Sequence, residues 1–379
     1  MNPEASMKFT ANKEEFFNSL QKVIGVLPAK TTIPILSNIL LRLEDGKLNI
    51  SGTDLEISIT TTCEVSGAED GALSVPGKRF FEIVRELPDL PLSIETDATN
   101  HLTLSNEKGL YKFMGENEEE YPHIAVEEAE VEFTLPAEKF NRMVDKTIYA
   151  VSTDELRTTL MGVYLQVFPN ELRMVATDGH RLAKISDQSF SGNEATISAI
   201  LPTKALHLVT RNLAPDEEVT ISMGENHIVF SFASTKIYSK LIEGKFPNYD
   251  RVIPIDNQIN MYINRDLLIS TLKRVSIFSS PYTHQIILSL SPSSMVVQAE
   301  DVEMGGEAQE SLALDYSGPE MDIGYNAAYL LDILRHVDTE EVLFELKDPG
   351  SAAIIKPSEQ QEKEDLMMLL MPIRLNDQI

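Results

Sequence analysis

A single cysteine, Cys63, among 379 residues excludes an internal disulfide and points to a reducing compartment, most simply the cytoplasm. Its expected role is packing. The chain also lacks any apolar run of the roughly 18–20 residues that a membrane span requires, so no membrane partner is expected. Met1-Asn2-Pro3-Glu4-Ala5-Ser6 has neither the basic start nor the apolar core of a signal peptide, and reads as an extension ahead of Met7. Basic residues are scarce. Lysine and arginine number 32 against 59 aspartates and glutamates, a net charge of −27, which at first sight argues against a nucleic-acid partner. The seven histidines show no metal-ligand spacing, and no nucleophile motif or phosphate-cradling glycine loop accompanies them. No metal, cofactor or catalytic residue is therefore expected.

What is present is repetition. The stretch Met174-Val175-Ala176-Thr177-Asp178-Gly179-His180-Arg181-Leu182-Ala183 reads as strand, turn, strand. Val175 and Thr177 suit a pleated surface, Asp178-Gly179 supplies a tight turn, and Leu182 resumes the alternation. Ser51-Gly52-Thr53-Asp54-Leu55-Glu56-Ile57 and Gln298-Ala299-Glu300-Asp301-Val302-Glu303-Met304 repeat its frame, with Asp54, Asp178 and Asp301 spaced 124 and 123 residues apart. Pro76, Pro202 and Asn326 stand just ahead of a second helix in each copy, at offsets of 126 and 124. The chain thus reads as one unit written three times, with an expected division into residues 1–127, 128–254 and 255–379. Only the middle copy carries Gly-His-Arg after its aspartate.

Each copy follows the order strand, helix, meander, helix, meander, which is an α+β pattern. Helical spacing and caps such as Asn12 predict helices over 12–27, 78–87, 136–151, 202–213, 264–278 and 326–337. Alternation predicts strands at 55–59, 110–114, 162–168, 172–185, 237–241 and 366–375, among others, and residues 116–130 read as an acidic linker. The six helical windows hold fourteen basic and eight acidic residues, a net of +6 in a chain of −27. Lys139, Arg142 and Lys146 fall at i, i+3 and i+7 on one face, as do Lys204, His207 and Arg211. Basic residues on a helix face are often plain solubilising groups. Here six helices share the bias while strands and linkers carry the acid, so a surface lined by the helices would attract phosphate.

Several strings are more specific. Met7-Lys8-Phe9-Thr10, Ile33-Pro34-Ile35-Leu36-Ser37-Asn38 and Gly52-Thr53-Asp54-Leu55-Glu56 stand in the first copy; Val131-Glu132-Phe133-Thr134-Leu135-Pro136 and the Thr177-Asp178-Gly179-His180-Arg181 string in the second. Tyr316-Ser317-Gly318 and the terminal Met371-Pro372-Ile373-Arg374-Leu375 stand in the third. On these strings the chain resembles, over residues 7–375, the bacterial DNA polymerase III beta subunit family, the sliding clamps. The resemblance implies three repeated domains of the DNA clamp fold in a head-to-tail homodimer, with helices lining a ring around duplex DNA and β-sheets outside. It also implies binding without base readout, since enclosure replaces affinity and a weak sequence-blind field suffices for sliding.

The same resemblance implies site residues. DNA contacts would come from Lys30 in the loop after the first helix, and from Lys78, Arg79, Arg85, Lys139, Arg142, Lys146, Lys204, Arg211 and Lys273 on the helices. Thr158 and Thr159 stand where the family can place aromatic residues. Ring closure would use Tyr111 and Phe113 against Ile277 and Phe278. A pocket for short hydrophobic peptides would be formed by Arg157, Leu160, Thr177, Gly179, His180, Arg181, Leu182, Pro247, Arg251, Val252, Ala352, Leu369, Leu370, Met371, Pro372, Ile373 and Arg374. Its implied partners are the catalytic subunit of DNA polymerase III, the clamp loader, and other polymerases and repair proteins. The chain departs from the familiar pattern at Gly350 and Ala352, which would widen that pocket, and adds residues 376–379 beyond the usual end. Two rival readings stand beside this one. Asp178 and His180 could form an acid–base pair with Arg181 as an anion clamp, and the chain could be a scaffold that binds no DNA.

Overall fold

The computed structural model describes residues 6–123, 128–192, 196–301, 303 and 305–375. Most of the expected N-terminal extension, part of the acidic linker, Val302, Met304 and the tail at 376–379 lie outside the described residues. Contacts gather the chain into two compact units, Met1–Phe140 with Lys204–Leu241, and Asn141–Thr203 with Ile242–Ile379. The described α-helices are α1 (Lys13–Ile24), α2 (Gly77–Glu86), α3 (Ala137–Ile148), α4 (Thr203–Asn212), α5 (Arg265–Val275) and α6 (Ala327–Arg335). Each matches an expected helix within a few residues. Asparagine caps account for three of the starts: Asn12, Asn264 and Asn326 each accept main-chain N–H bonds from the first turn of α1, α5 and α6. The expected helix at 264–278 divides, because after Val275 the chain tightens into a one-turn 3-10 helix, Ser276–Phe278.

In the first unit, a five-stranded sheet runs in the order Ser66–Glu69, Lys8–Ala11, Leu92–Thr96, His101–Asn106, Gly109–Met114. A second sheet has eight strands. There the last strand of the middle copy, Thr235–Lys240, pairs antiparallel with Ile57–Glu64 of the first copy, from Thr235↔Thr61 to Ser239↔Ile57. The core is a ladder of edge-to-face rings, Phe9 on Phe16 (6.2 Å), Phe16 on Phe80 (5.9 Å) and Phe80 on Phe113 (5.2 Å).

Nine strands form the main sheet of the second unit. In it Arg181–Asp187 of the middle copy pairs with Glu364–Leu370, the last strand of the third, from Arg181↔Leu370 to Asp187↔Glu364. Four more strands make a separate sheet in the order Gly306–Ala313, Ser294–Asp301, Gln285–Ser291, Met321–Asn326.

The repeated turn is built from the same hydrogen bonds in the first two copies. Thr177 Oγ1 donates to Arg181 O and accepts from Gly179 N, while Asp178 Oδ1 accepts from His180 N (2.9 Å) and Arg181 N (3.0 Å). Thr53 and Asp54 do the same for Ile57 O, Leu55 N, Glu56 N and Ile57 N. The geometry demands a left-handed residue after the aspartate: Gly179 has φ +91°, and Leu55 is forced to +77° without a glycine's freedom. In the third copy Asp301 Oδ1 again accepts from the second residue on, Glu303, but there the aspartate is itself part of the ladder, pairing with Gly306.

Two expectations are corrected. The strand expected at 366–375 ends at Leu370, after which the chain leaves the sheet. Residues 116–121 of the supposed linker are packed: Arg42 pairs with Glu118 at 2.9 Å, and the buried Tyr121 hydroxyl donates to Asn38 O. Acidic composition hid both contacts. Because Phe80 is fully buried at the centre of the ring ladder, Phe80→Ala should destabilise the protein by about 3–5 kcal/mol in denaturant unfolding. A loss below about 1 kcal/mol would contradict this account of the core.

Candidate functional site

A concave site lies wholly within the second unit, where the Asp178 turn meets the end of the last strand. Main-chain pairing sets this meeting. Register places Leu182 opposite Leu369, and as the chain leaves the sheet Met371 N donates to His180 O at 2.9 Å. Ile373 N then donates to Gly324 O at 2.8 Å, an approach that a side chain at Gly324 would block, since its Cβ would lie 2.7 Å from Ile373 O. The result is a cleft of about 430 Å³. Its buried walls include Leu160, Leu182, Ala352 and Leu369, and Val252 and Met371 are exposed at it. Such a mainly apolar concavity with a few polar groups suits a small or extended apolar ligand.

Of the expected pocket residues, Leu160, Thr177, Gly179, His180, Arg181, Leu182, Pro247, Val252, Ala352, Leu369 and Met371 line the cleft. Arg157, Arg251, Leu370, Pro372, Ile373 and Arg374 do not. Arg157 is engaged elsewhere, donating to Asp178 O (2.9 Å) and to Asp154 Oδ2 (2.9 Å). Leu370 is fully buried on the strand face opposite Leu369. Arg251 is exposed at the end of the one-turn helix Tyr249–Arg251, and Pro372 to Arg374 follow the chain away. Ser351 joins Ala352 in the wall, whereas Gly350 does not.

Asn248, Tyr249 and Pro254 also line it. Sequence reasoning missed them, although the Phe246-Pro247-Asn248-Tyr249 cluster was a signal. Tyr249 is locked from behind, accepting from Arg173 Nη1 at 2.8 Å and donating to Gln166 Oε1 at 2.5 Å. Burial pushes its phenol pKa up, against the opposing bond from Arg173. Tyr164 and Phe246 stack beside it at 4.6 Å.

The polar side of the cleft is a fixed network. Arg181 donates through Nε to Asp178 Oδ2 (3.1 Å), through Nη1 to Asp332 Oδ2 (2.8 Å) and through Nη2 to Tyr149 O (2.7 Å). Its guanidinium also sits 4.5 Å from the Tyr329 ring centre. The acid–base reading of Asp178 and His180 has a simpler account. Both carboxylate oxygens of Asp178 are committed to the turn and to Arg181, and His180 Nδ1 lies 4.0 Å away on an exposed ring.

The basic residues expected to face DNA divide. Lys30, Lys78, Arg79, Arg211 and Lys273 are exposed. Arg85 is exposed too, but pairs with Glu86 at 2.9 Å. Arg142 and Lys146 correct the expectation of a free cationic stripe on α3. Arg142 is held by Glu364 (2.7 Å) and Asp338 (2.5 Å), and Lys146, 5% exposed, by Asp338 (2.7 Å). Lys139 is half-buried. Lys204 is likewise bonded, to Asp54 Oδ2 (2.5 Å) and Val26 O (3.0 Å). Counting charge along a helix misses the carboxylates that other segments set against it.

Among the expected closure residues, Ile277 (76%) and Phe278 (42%) are exposed. Phe113 is a core residue against Phe80, and Tyr111 is half-buried; on the same strand Leu110, Lys112 and Met114 are the exposed side chains. Alternation along a strand explains the split.

Family models match three consecutive spans, the N-terminal domain of the DNA polymerase III beta subunit over residues 7–125, its central domain over 134–248 and its C-terminal domain over 250–374. The beta sliding clamp of Chlamydia pneumoniae is 31% identical over 376 residues, 98% of this chain and 100% of that protein. That of Escherichia coli is 32% identical over 372 residues, 97% of this chain and all of the relative. A DnaN sliding clamp from Pseudomonas aeruginosa, solved bound to griselimycin, superposes with a TM-score of 0.93 at 31% identity, covering 98% of this chain and 100% of that one.

The Asp338 carboxylate between Arg142 and Lys146 gives a test. Partial burial acts to raise its pKa, but hydrogen bonds from Lys146 and Arg142 outweigh it and hold the group below the ordinary aspartate value. A depressed carboxylate stabilises the fold above its unfolded pKa of about 3.9, and that stabilisation is lost as pH falls through the lower folded value. Asp338→Asn should therefore lower stability at neutral pH and flatten its decline below about pH 4. Parallel acid-unfolding curves for the two proteins would contradict the pairing.

Proposed function

The chain belongs to the DNA polymerase III beta subunit family, and from that premise we propose that it is a DNA sliding clamp. Two copies close into a ring around duplex DNA, and the ring tethers the polymerase to its template, acting as a processivity factor and not as an enzyme. The observation that carries the ring is the use of strands between copies. The strand after the Asp54 turn pairs with the last strand of the middle copy, and the strand after the Asp178 turn pairs with the last strand of the third. By the same rule, Gly306–Ala313 after the Asp301 turn would take Gly109–Met114, the last strand of the first copy, from a second chain. Both are end strands of their sheets. Both would otherwise leave main-chain groups open to chance pairing. Exposed Ile277 and Phe278 on one side, and Leu110 and Met114 on the other, support an apolar seam, backed by Tyr111 and Phe113 from the inner face.

Duplex DNA is held by a diffuse field from exposed cations such as Lys30, Lys78, Arg79, Arg211 and Lys273, with no base-reading constellation. The cleft at Leu182, Tyr249 and Met371 takes a short hydrophobic peptide, through which the polymerase catalytic subunit, the clamp loader and repair proteins would compete for the same ring. Its apolar walls and fixed polar edge at Arg181 suit such a segment. The three-way division near residues 127 and 254 remains the functional reading of the repeats.

Retention on DNA tests the ring. The protein loaded on nicked circular DNA should survive a salt wash that strips it from linear DNA with free ends, and equal loss from both would overturn enclosure. Replacing Ile277 and Phe278 by alanine should give a folded monomer in sedimentation. For the cleft, Met371→Ala should weaken binding of a hydrophobic polymerase-tail peptide by about tenfold while leaving dimer mass unchanged. Unaltered peptide affinity would place the partner site elsewhere.

A further inference from the structure

The two pairings between copies share a register. In the first, Thr53, the residue before the turn aspartate, pairs with Ser58; Ser58 lies opposite Tyr238, which pairs in turn with Val229. In the second, Thr177 pairs with Leu182, which lies opposite Leu369 and then Ile354. Each junction thus has a row of four residues that begins just before its turn. In the third copy the residue before the aspartate is Glu300, and its partner is Glu307. The position 126 residues before Tyr238 is Lys112, which pairs with Thr103 as Tyr238 pairs with Val229, and the same offset carries the pair His227–Lys240 onto His101–Met114.

The half of this row that the third copy supplies is unfavourable alone. Glu300 and Glu307 are both exposed and directly opposite each other, a like-charge pair that weakens a ladder. The other half holds a spare cation. Lys112 is exposed, and among the described residues neither its ammonium nor the Glu307 carboxylate makes an ion pair or hydrogen bond.

We propose that the seam between two copies is set in one register, Glu307 of one copy opposite Lys112 of the other, in a row running Thr103, Lys112, Glu307, Glu300. This rests on the ring proposed above and gives its strand pairing a charge key. The faces agree with it. Glu310 is held by Arg274 of α5, so residues 306, 308 and 310 face that helix, while Phe113 packs on Phe80 of α2, so 109, 111 and 113 face α2. The register sets helix face against helix face, with Phe113 beside Gly306 and Tyr111 beside Ala308, large side chains against small ones. Phe278 already covers Gly306 from the helix side, since a Cβ there would lie 3.2 Å from its ring. A slip of one residue would oppose Lys112 to the helix face, and a slip of two would leave the glutamate pair uncompensated.

Charge exchange on the full chain tests it, with dimer dissociation constants from sedimentation equilibrium and thermal unfolding as the check on folding. Lys112→Glu and Glu307→Lys should each weaken the dimer about tenfold, because each places like charges opposite one another, and the two together should restore it to within about threefold of wild type. A cysteine pair reads the register directly, since opposed residues on antiparallel strands lie within disulfide reach. Lys112→Cys with Glu307→Cys should give a covalent dimer under mild oxidation, and Lys112→Cys with Gln309→Cys, one place along the same face, should not. A dimeric wild type without rescue by exchange, or with cross-linking through position 309 instead, would overturn the register and leave the ring standing. A wild type that is monomeric throughout would overturn the ring and the register with it.

Discussion

Antiparallel pairing of Arg181–Asp187 with Glu364–Leu370 is the constraint on which the candidate site depends. Side chains alternate along a strand, so a slip of one residue would turn Leu182 and Leu369 away from the cleft and bring Leu370, now fully buried, into it. The register is held at the turn end by the Met371–His180 main-chain bond and at the far end by Lys184 with Asp365 at 3.0 Å. The polar edge at Asp178 and Arg181 is then placed by the turn. Asp178 cannot move without losing two main-chain bonds, and Arg181 is bound to Asp178 as well as to Asp332. A ligand therefore meets a preformed wall and leaves less ordering entropy to be overcome on binding.

Charge follows a different logic from the one its sequence count suggests. A chain at −27 that must approach phosphate has to keep its acids away from a few exposed cations. It does so unevenly. On α3, Arg142 and Lys146 are committed to Asp338 and Glu364, with Lys146 almost fully buried, so these charges serve packing and not a field. Lys78 and Arg79 on α2 and Lys273 on α5 stay exposed. A weak, patchy field fits a protein that must slide, because tight phosphate contacts would act as a brake.

The repeat, the helices and the turns were legible in the sequence because each has a local cause. Asn12 caps a helix next to it, and Thr177-Asp178 folds back on residues three and four further on. What was not legible was set across long separations. Nothing near Lys146 in sequence reveals Asp338, 192 residues away, and nothing near Thr177 reveals that Tyr249 will form part of the same wall. The C-terminal strand was overextended for a related reason. Residues 371–375 remain as apolar as a strand, but pairing ends at Leu370, and the apolar side chain of Met371 is used at the cleft instead.

The difference between the first two turns accounts for why the cleft occurs where it does. In the first copy the residue three after the aspartate is Ile57, buried in the sheet, and the cation that satisfies the turn arrives from α4. In the middle copy α6 offers Ala328 at the corresponding place, so the turn must carry its own arginine, and the flat neighbour it needs is Gly179, which has no side chain to cover the opening. Arginine at this position does two things that a lysine from outside could not. Its planar fork reaches Asp178, Asp332 and Tyr149 O together, and its remaining surface faces the cleft. The Gly-His-Arg string peculiar to the middle copy thus joins two requirements in one residue. It completes the turn where the next helix does not, and it leaves a rigid polar edge beside an apolar cleft once in each chain.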